Sequence, residues 1–233
     1  TASGLSLIET TAESLENLDA LAELDLSENS IKTIASNSFK DLKALVRLDL
    51  HANEIVTIGE GMLDSLVNIK EIDLSNNNLC NEIDVVCPLA TTFRKNTQLE
   101  VINLDENYIK NLAITIFRGL NGLKNLKLSN NEIIRLPDRL FLGNKALEII
   151  DFSSNGINYV GKETSETFEN ALKASTLIFD ENPCTQNLLK NHNRDDLLKE
   201  LKGKGHQECK AHLNDAKLEL SELSGMLNLV TPK

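Results

Sequence analysis

Three groups of residues have types and spacings that could do chemistry. The first is acidic. Asp25, Asp49 and Asp73 recur every 24 residues, Glu71 stands beside Asp73, and Arg47, His51, Asp105 and Lys127 fall in the same repeating frame. Carboxylates stacked at strand spacing, about 4.8 Å, would favour a cationic ligand. The second group is His206-x-x-Cys209-x-x-His212, which has the look of a metal site. It lacks a fourth ligand and needs a free thiol, and Cys184 is the natural partner of Cys209, so no metal is expected. The third group is the cysteines, two pairs along the chain: Cys80 with Cys87, and Cys184 with Cys209. Four Cys allow three pairings, and proximity with repeat register selects these two bonds. Enzyme parts are missing: there is no recognisable Ser/His/Asp motif, no glycine-rich phosphate loop and no H-E-x-x-H. No cofactor is expected.

The elements that position these residues follow from one frame. The stretch Ile69–Leu79 reads I-x-x-I-x-L-x-x-N-x-L, fixed by Ile69, Ile72, Leu74, Asn77 and Leu79. The same frame sets Leu24, Leu26 and Asn29; Leu48, Leu50 and Asn53; Ile102, Leu104 and Asn107; Leu126, Leu128 and Asn131; Ile150, Phe152 and Asn155. A degenerate copy ends at Leu177, Phe179 and Asn182. This is the leucine-rich repeat, and such a period decides the fold before local propensity does. The class is an α/β repeat: a solenoid with short parallel strands on a concave face, a mostly irregular or 3₁₀ convex side and a helical C-terminal cap. No coil can bury its apolar face alone, so stacking is obligatory. The Asn column stands where the chain leaves each strand, and an inward amide that both donates and accepts can bridge neighbouring coils. Phe39, Phe93, Phe117, Phe141 and Phe168, with Leu63 in the second coil, form a buried column on the other limb.

A net charge of −11 argues against nucleic-acid or anionic-membrane binding, which needs a basic patch. No run is apolar enough to span a membrane. The opening TASGLSLIET is not a signal peptide, and an even Cys count points to an oxidising compartment. The expectation is a secreted, extracellular chain whose signal has been removed.

Along the chain, residues 1–20 read as the back half of a repeat, 21–182 as the solenoid, 183–210 as a disulfide-linked cap and 211–233 as an amphipathic tail. Two coils are longer than the rest: the third holds Cys80-NEIDVV-Cys87 and the sixth holds GKETSETFENA. In the tail, Leu213, Ala216, Leu220, Leu223, Leu227 and Val230 follow heptad spacing. That helix either lies on the cap or associates with a partner. Within each strand, alternate residues face opposite ways, so the x positions of L-x-x-L-x-L point out from the concave sheet. The candidate partner-binding residues there are Arg47, Asp49, His51, Glu71, Asp73, Asp105 and Lys127. The rival site is the tail face of Leu213, Leu220, Leu223 and Leu227.

The 24-residue coils with their F-x-x-L ending resemble the typical class of leucine-rich repeats, found mostly in extracellular proteins. With the two-Cys cap after Asn182-Pro183-Cys184 and heptads after Cys209, the chain is similar to the mosquito leucine-rich immune proteins. The extra Cys pair that usually supports pairing in that class is not present. The resemblance implies a non-enzymatic protein-binding module of innate immunity whose partner is a complement-like thioester protein, with dimerisation through the C-terminal helix. The other reading is the ectodomain, or a fragment, of a receptor or matrix protein.

Overall fold

The computed structural model describes residues 9, 10, 15, 17–59, 61–81, 89–161, 164 and 176–183. The expected cap from Cys184, the tail helix, Cys87, Cys209 and Phe168 lie outside the described residues.

Each coil contributes one three-residue strand whose central residue is buried, and in the first six the flanks face outward. The seven are β2 (Glu23–Asp25), β4 (Arg47–Asp49), β5 (Glu71–Asp73), β6 (Val101–Asn103), β7 (Asn125–Lys127), β9 (Ile149–Asp151) and β11 (Thr176–Ile178). They pair in parallel and in chain order, β2-β4-β5-β6-β7-β9-β11, without a crossover. The register follows the repeat frame: Leu24 faces Leu48, Ile72 faces Ile102, and Ile150 faces Leu177. The extra residues of the third and sixth coils therefore leave the ladder intact. On the opposite limb, β1 (Glu9–Thr10) pairs with β3 (Thr33–Ile34), and β8 (Arg135–Leu136) with β10 (Tyr159–Val160), while Leu89–Thr91 forms a 3₁₀ turn.

The chain leaves each strand through one residue in the left-handed region. Glu28, Ala52, Asn76, Glu106, Asn130, Ser154 and Glu181 all have φ between 51° and 57°. Most non-glycine residues avoid this region, so the surrounding structure must fix it. What fixes it is the next residue, the frame Asn. The Asn53 Nδ2 donates to the Leu26 carbonyl of the preceding coil at 2.9 Å and to its own coil's Leu50 carbonyl at 3.1 Å. Its Oδ1 accepts from the Ile31 amide of the preceding coil at 3.0 Å. Asn77, Asn107, Asn131, Asn155 and Asn182 repeat the arrangement, accepting from Ile55, Leu79, Ile109, Ile133 and Ile157. Each amide thus satisfies buried backbone groups of two coils at once.

Between the limbs lies one continuous core. Leu48, Leu50, Ile72, Ile102, Leu126 and Ile150 are fully shielded, as are Phe39, Phe93 and Phe117. Phe117 stacks on Phe141 with centroids 5.7 Å apart, and Phe141, Phe152 and Phe179 continue the contact at 6.2 and 5.9 Å. Burying such a ring contributes roughly 1.5–3 kcal/mol.

The far limb departs from the simple F-x-x-L ending. Asn96 and Asn144 occupy the Leu place in the third and fifth coils, both buried. The Asn96 Nδ2 donates to Leu63 and Leu66 carbonyls at 2.8 and 3.0 Å, and Asn144 does the same to Phe117 and Leu120. Ser65 covers the Phe39 carbonyl and Thr115 covers that of Ala90. A second, partial set of polar rungs therefore stands on this side.

Replacing Asn107 by Ala leaves the Leu79 amide and the Leu74 carbonyl buried without that partner. The expected loss is about 1–3 kcal/mol, read as a lower urea midpoint with an unchanged slope. An unchanged midpoint would refute the role given to the column.

Candidate interaction face

The outward residues of the seven strands form two columns running across the sheet. One reads Glu23, Arg47, Glu71, Val101, Asn125, Ile149; the other reads Asp25, Asp49, Asp73, Asn103, Lys127, Asp151, Ile178. A third column just beyond the strands holds Ser27, His51, Ser75, Asp105, Ser129 and Ser153. All seven concave residues expected from the sequence are in these columns, on or just after β4 to β7. The rival tail leucines lie outside the described residues.

Most of the acidic column is engaged within the protein. Asp25, Asp73 and Asp151 each use Oδ1 to accept from the backbone amide and the hydroxyl of the Ser two residues on, the hydroxyl at 2.6 Å in each case. These carboxylates close the turn that leaves the strand. The two Ser27 bonds hold the Asp25 carboxyl below its ordinary range. Asp73 Oδ2 also accepts from Asn103 at 2.9 Å. Both Asp73 oxygens are therefore occupied.

Four of the seven coils break the Asp-x-Ser turn. Ile178 offers no acceptor, and Asn103 keeps the turn with its amide oxygen, accepting from Asp105 N at 3.2 Å. The coils of Lys127 and His51 are repaired differently. Lys127 cannot accept a hydrogen bond, so the turn of its coil takes its acceptor from the coil before: Ser129 N donates to Asp105 Oδ1 at 2.6 Å. Asp105 stands where its neighbours have Ser. Burial pushes its carboxyl above the usual aspartate value and Asp151 adds to that, against the Ser129 bonds. In the second coil His51 replaces Ser. The Asp49 Oδ1 accepts from the His51 amide at 3.1 Å and lies 2.8 Å from its Nδ1. The Nε2 lies 4.0 Å from Glu28. The Asp49 hydrogen bond raises the imidazole above its ordinary 6.5, with the charges of Asp49, Asp73 and Glu28 in support and partial burial opposing. Arg47 reaches Asp49 at 3.8 Å and Glu71 at 3.7 Å, so it bridges β4 and β5.

The face is thus uneven along its length. Over β2, β4 and β5 it carries charge, much of it paired. Over β6, β7, β9 and β11 it carries Val101, Ile149 and Ile178 around Asn125 and Lys127. Lys127 is exposed and makes no ion pair within 4 Å among the described residues. Beside the strands, sequence reasoning passed over another cluster: Glu100 lies 3.0 Å from Lys70 and 2.6 Å from Lys124. The two ammonium groups, Lys124 first, lower its carboxyl to about 2. Its signal was an alternating-charge run, Lys70, Glu100, Lys124 and Glu148, one residue before β5, β6, β7 and β9. Among the described residues no group of His, Cys, Asp and Glu could hold a metal ion, and no helix is long and apolar enough to cross a membrane. Cys80 is disulfide-bonded, and its bonding partner lies outside the described residues.

Fold and face together define a parallel-strand solenoid that displays a fixed sheet of outward side chains. The leucine rich repeat profile matches residues 7–55, 19–79, 80–133 and 97–157, and the chain belongs to the leucine-rich repeat family. A curated relative, leucine-rich repeat-containing protein 3B of Danio rerio, is 35% identical over 85 residues, 36% of this chain and 31% of the relative. The chain therefore spans about a third of that protein's length. Among solved structures, the TLR13–ssRNA13 complex superposes with a TM-score of 0.65 at 22% identity, over 76% of this chain and 24% of that one. The APL1 leucine-rich repeat domain gives 0.63 at 21% identity, over 78% and 43%. At these identities the likeness is one of fold.

His51 makes stability depend on pH in a defined direction. Its folded-state pKa is raised, so its contribution is fully present below 6.5 and is lost as pH rises through the folded value. Ser, the residue of the neighbouring coils, bonds the Asp without titrating. The stability of the parent relative to His51→Ser should fall between acid and alkaline pH in paired urea titrations. A difference that does not change with pH would show that the Asp49–His51 contact carries no charge interaction.

Proposed function

We propose that this chain is a secreted, non-enzymatic module that binds a protein ligand on the concave face, in innate-immune recognition or scaffolding. The observation that carries the reading is the sheet itself: outward side chains stand on a backbone fixed by stacking and by amide rungs. Such groups lose little freedom on binding, which favours affinity. Glu23, Glu71 and the second oxygen of Asp25 attract a cationic surface over β2 to β5, while Val101, Ile149 and Ile178 offer apolar contact beyond it. A complement-like thioester protein is the partner implied by the resemblance to mosquito immune proteins. Dimerisation through Leu213, Leu220, Leu223 and Leu227 belongs to the same proposal, as do the Cys80–Cys87 and Cys184–Cys209 bonds. The second reading is a piece of a receptor ectodomain or matrix protein. It is favoured by coverage: the chain spans 24% and 43% of the two solved chains and 31% of the curated relative.

Asp49 and Asp73 hold turns, so the charge test falls on Glu23 and Glu71. A Glu23→Lys, Glu71→Lys pair should slow association with a partner captured from extracellular fluid by roughly tenfold at low salt, and by less at high salt. A Leu220→Glu, Leu227→Glu pair should leave that binding intact and reduce self-association. Loss of partner binding in the tail pair alone would overturn the concave assignment. Non-reducing peptide mapping should recover Cys80 linked to Cys87 and Cys184 linked to Cys209; a peptide joining Cys80 to the cap would refute the pairing.

A further inference from the structure

On the flank where the chain leaves β5, β6 and β7 there is a hollow of about 440 Å³ that the concave face does not use. That volume lies within the range of about 300–1,000 Å³ usual for ligand pockets. Its floor is made by Asn77 and Asn107, whose amides are fully engaged in the interior. Its rim is made by Asn76, Asn78, Glu106, Tyr108 and Asn130.

The rim residues form two columns, one of three and one of two. Asn76, Glu106 and Asn130 are the left-handed residues of three successive coils. Asn tolerates that backbone, so two of the three are accounted for by conformation. Asn78 and Tyr108 are not: they stand one place after the ladder Asn, where no special φ is required and other coils carry Ser30, Glu54, Glu132 and Gly156. Backbone bonds fix them in place, with Asn78 N donating to Ile55 O at 3.0 Å and Tyr108 N to Leu79 O at 3.1 Å. The Asn78 amide makes no side-chain hydrogen bond among the described residues, and Asn130 makes only a long one, 3.3 Å to Ser129 Oγ. Tyr108 is 37% exposed.

The rim chemistry selects its ligand. It holds no cation, so an anion has no counter-charge. Its single carboxylate, Glu106, is too little for a metal ion. Its amides would be left unpaired by an apolar molecule, which disfavours one. What fits is a neutral molecule with donors and acceptors around its edge and one apolar face for an aromatic ring. A pyranose has hydroxyls on its rim and C–H groups on its faces. We propose that this hollow binds a neutral oligosaccharide, with Asn78, Asn130 and Glu106 bonding ring hydroxyls and one sugar face lying on Tyr108. The site is separate from the concave face, so it stands or falls independently of the protein-binding reading.

The chain has two Tyr and no Trp, which makes the test direct. In a Tyr159→Phe background Tyr108 is the sole fluorophore of its kind. Maltohexaose, cellohexaose, laminarihexaose, chitohexaose and mannohexaose would each be titrated to about 10 mM, well above the ~1 mM Kd of a weak but specific site. At least one should change Tyr emission saturably and show saturation transfer from protein to sugar by NMR. Tyr108→Ala should abolish that transfer and Asn78→Ala should weaken binding about tenfold, with both variants melting cooperatively, while Ile149→Ala on the concave face should have no effect. No saturable response to any of the five sugars would overturn the proposal. So would transfer that persists in Tyr108→Ala.

Discussion

The hydrogen bonds of the frame Asn side chains are the interaction on which the rest of this structure depends. A three-residue strand followed by a left-handed residue is a poor local structure by itself. It exists because the next side chain closes the turn from inside, donating to its own coil and to the one before it. The same amide accepts from a backbone N–H 22 residues upstream in most coils. Strand register, the tight exit turn and the spacing of coils are therefore one constraint. The hydrophobic core supplies most of the free energy, but apolar packing is non-directional and would tolerate slippage. The amides do not, because a shifted coil would leave buried polar groups without partners.

That constraint reaches the outer face through the exit turn. The Asp of each Asp-x-Ser turn holds backbone with one oxygen, and at Asp73 the other is taken by Asn103. A column that resembles a cation site is thereby partly structural. Where a coil gives up the Asp, as at Lys127, the neighbouring Asp105 takes over the turn. Where it gives up the Ser, as at His51, a titrating base enters the turn. Variation on this face is tied to repair on the same face, which limits which residues a binding function can draw upon. Glu23, Glu71, Lys127, Val101 and Ile149 are freer of that duty.

How much of this could be read from sequence follows from the reach of each interaction. The coils, the strand centres and the Asn and Phe columns were legible because each residue repeats itself in register with its own copies. The outward direction of Arg47, Asp49, His51, Glu71, Asp73, Asp105 and Lys127 was legible for the same reason. Their pairings were not. That Ser129 leans on Asp105 becomes visible only when adjacent coils are laid side by side, and the significance of Lys127 depends on what it fails to accept. Asn96 and Asn144 were hidden by a frame that expects Leu, since one buried amide in an apolar column reads as noise until the carbonyls above it are found. The flank hollow has no period at all; it arises where Asn78 and Tyr108 depart from their own column.

The rungs of the solenoid also have a direction. Among the described residues, the frame amides from Asn53 to Asn182 each donate back to the preceding coil. Asn29 closes its own turn as they close theirs, its Nδ2 donating to the Leu26 and Ser27 carbonyls at 3.0 Å each. The Ile31 amide, by contrast, waits for Asn53. A coil is thus completed only by one made later. During synthesis the newest turn is always the incomplete one, and each arrival seals its predecessor. Only the side-chain rungs are one-way, for backbone bonds run in both directions. The Val46 and Glu54 amides donate back to the Ala22 and Ile31 carbonyls, and the Leu26 amide donates forward to Asp49. A turn lost from either end therefore strands groups in the one that remains.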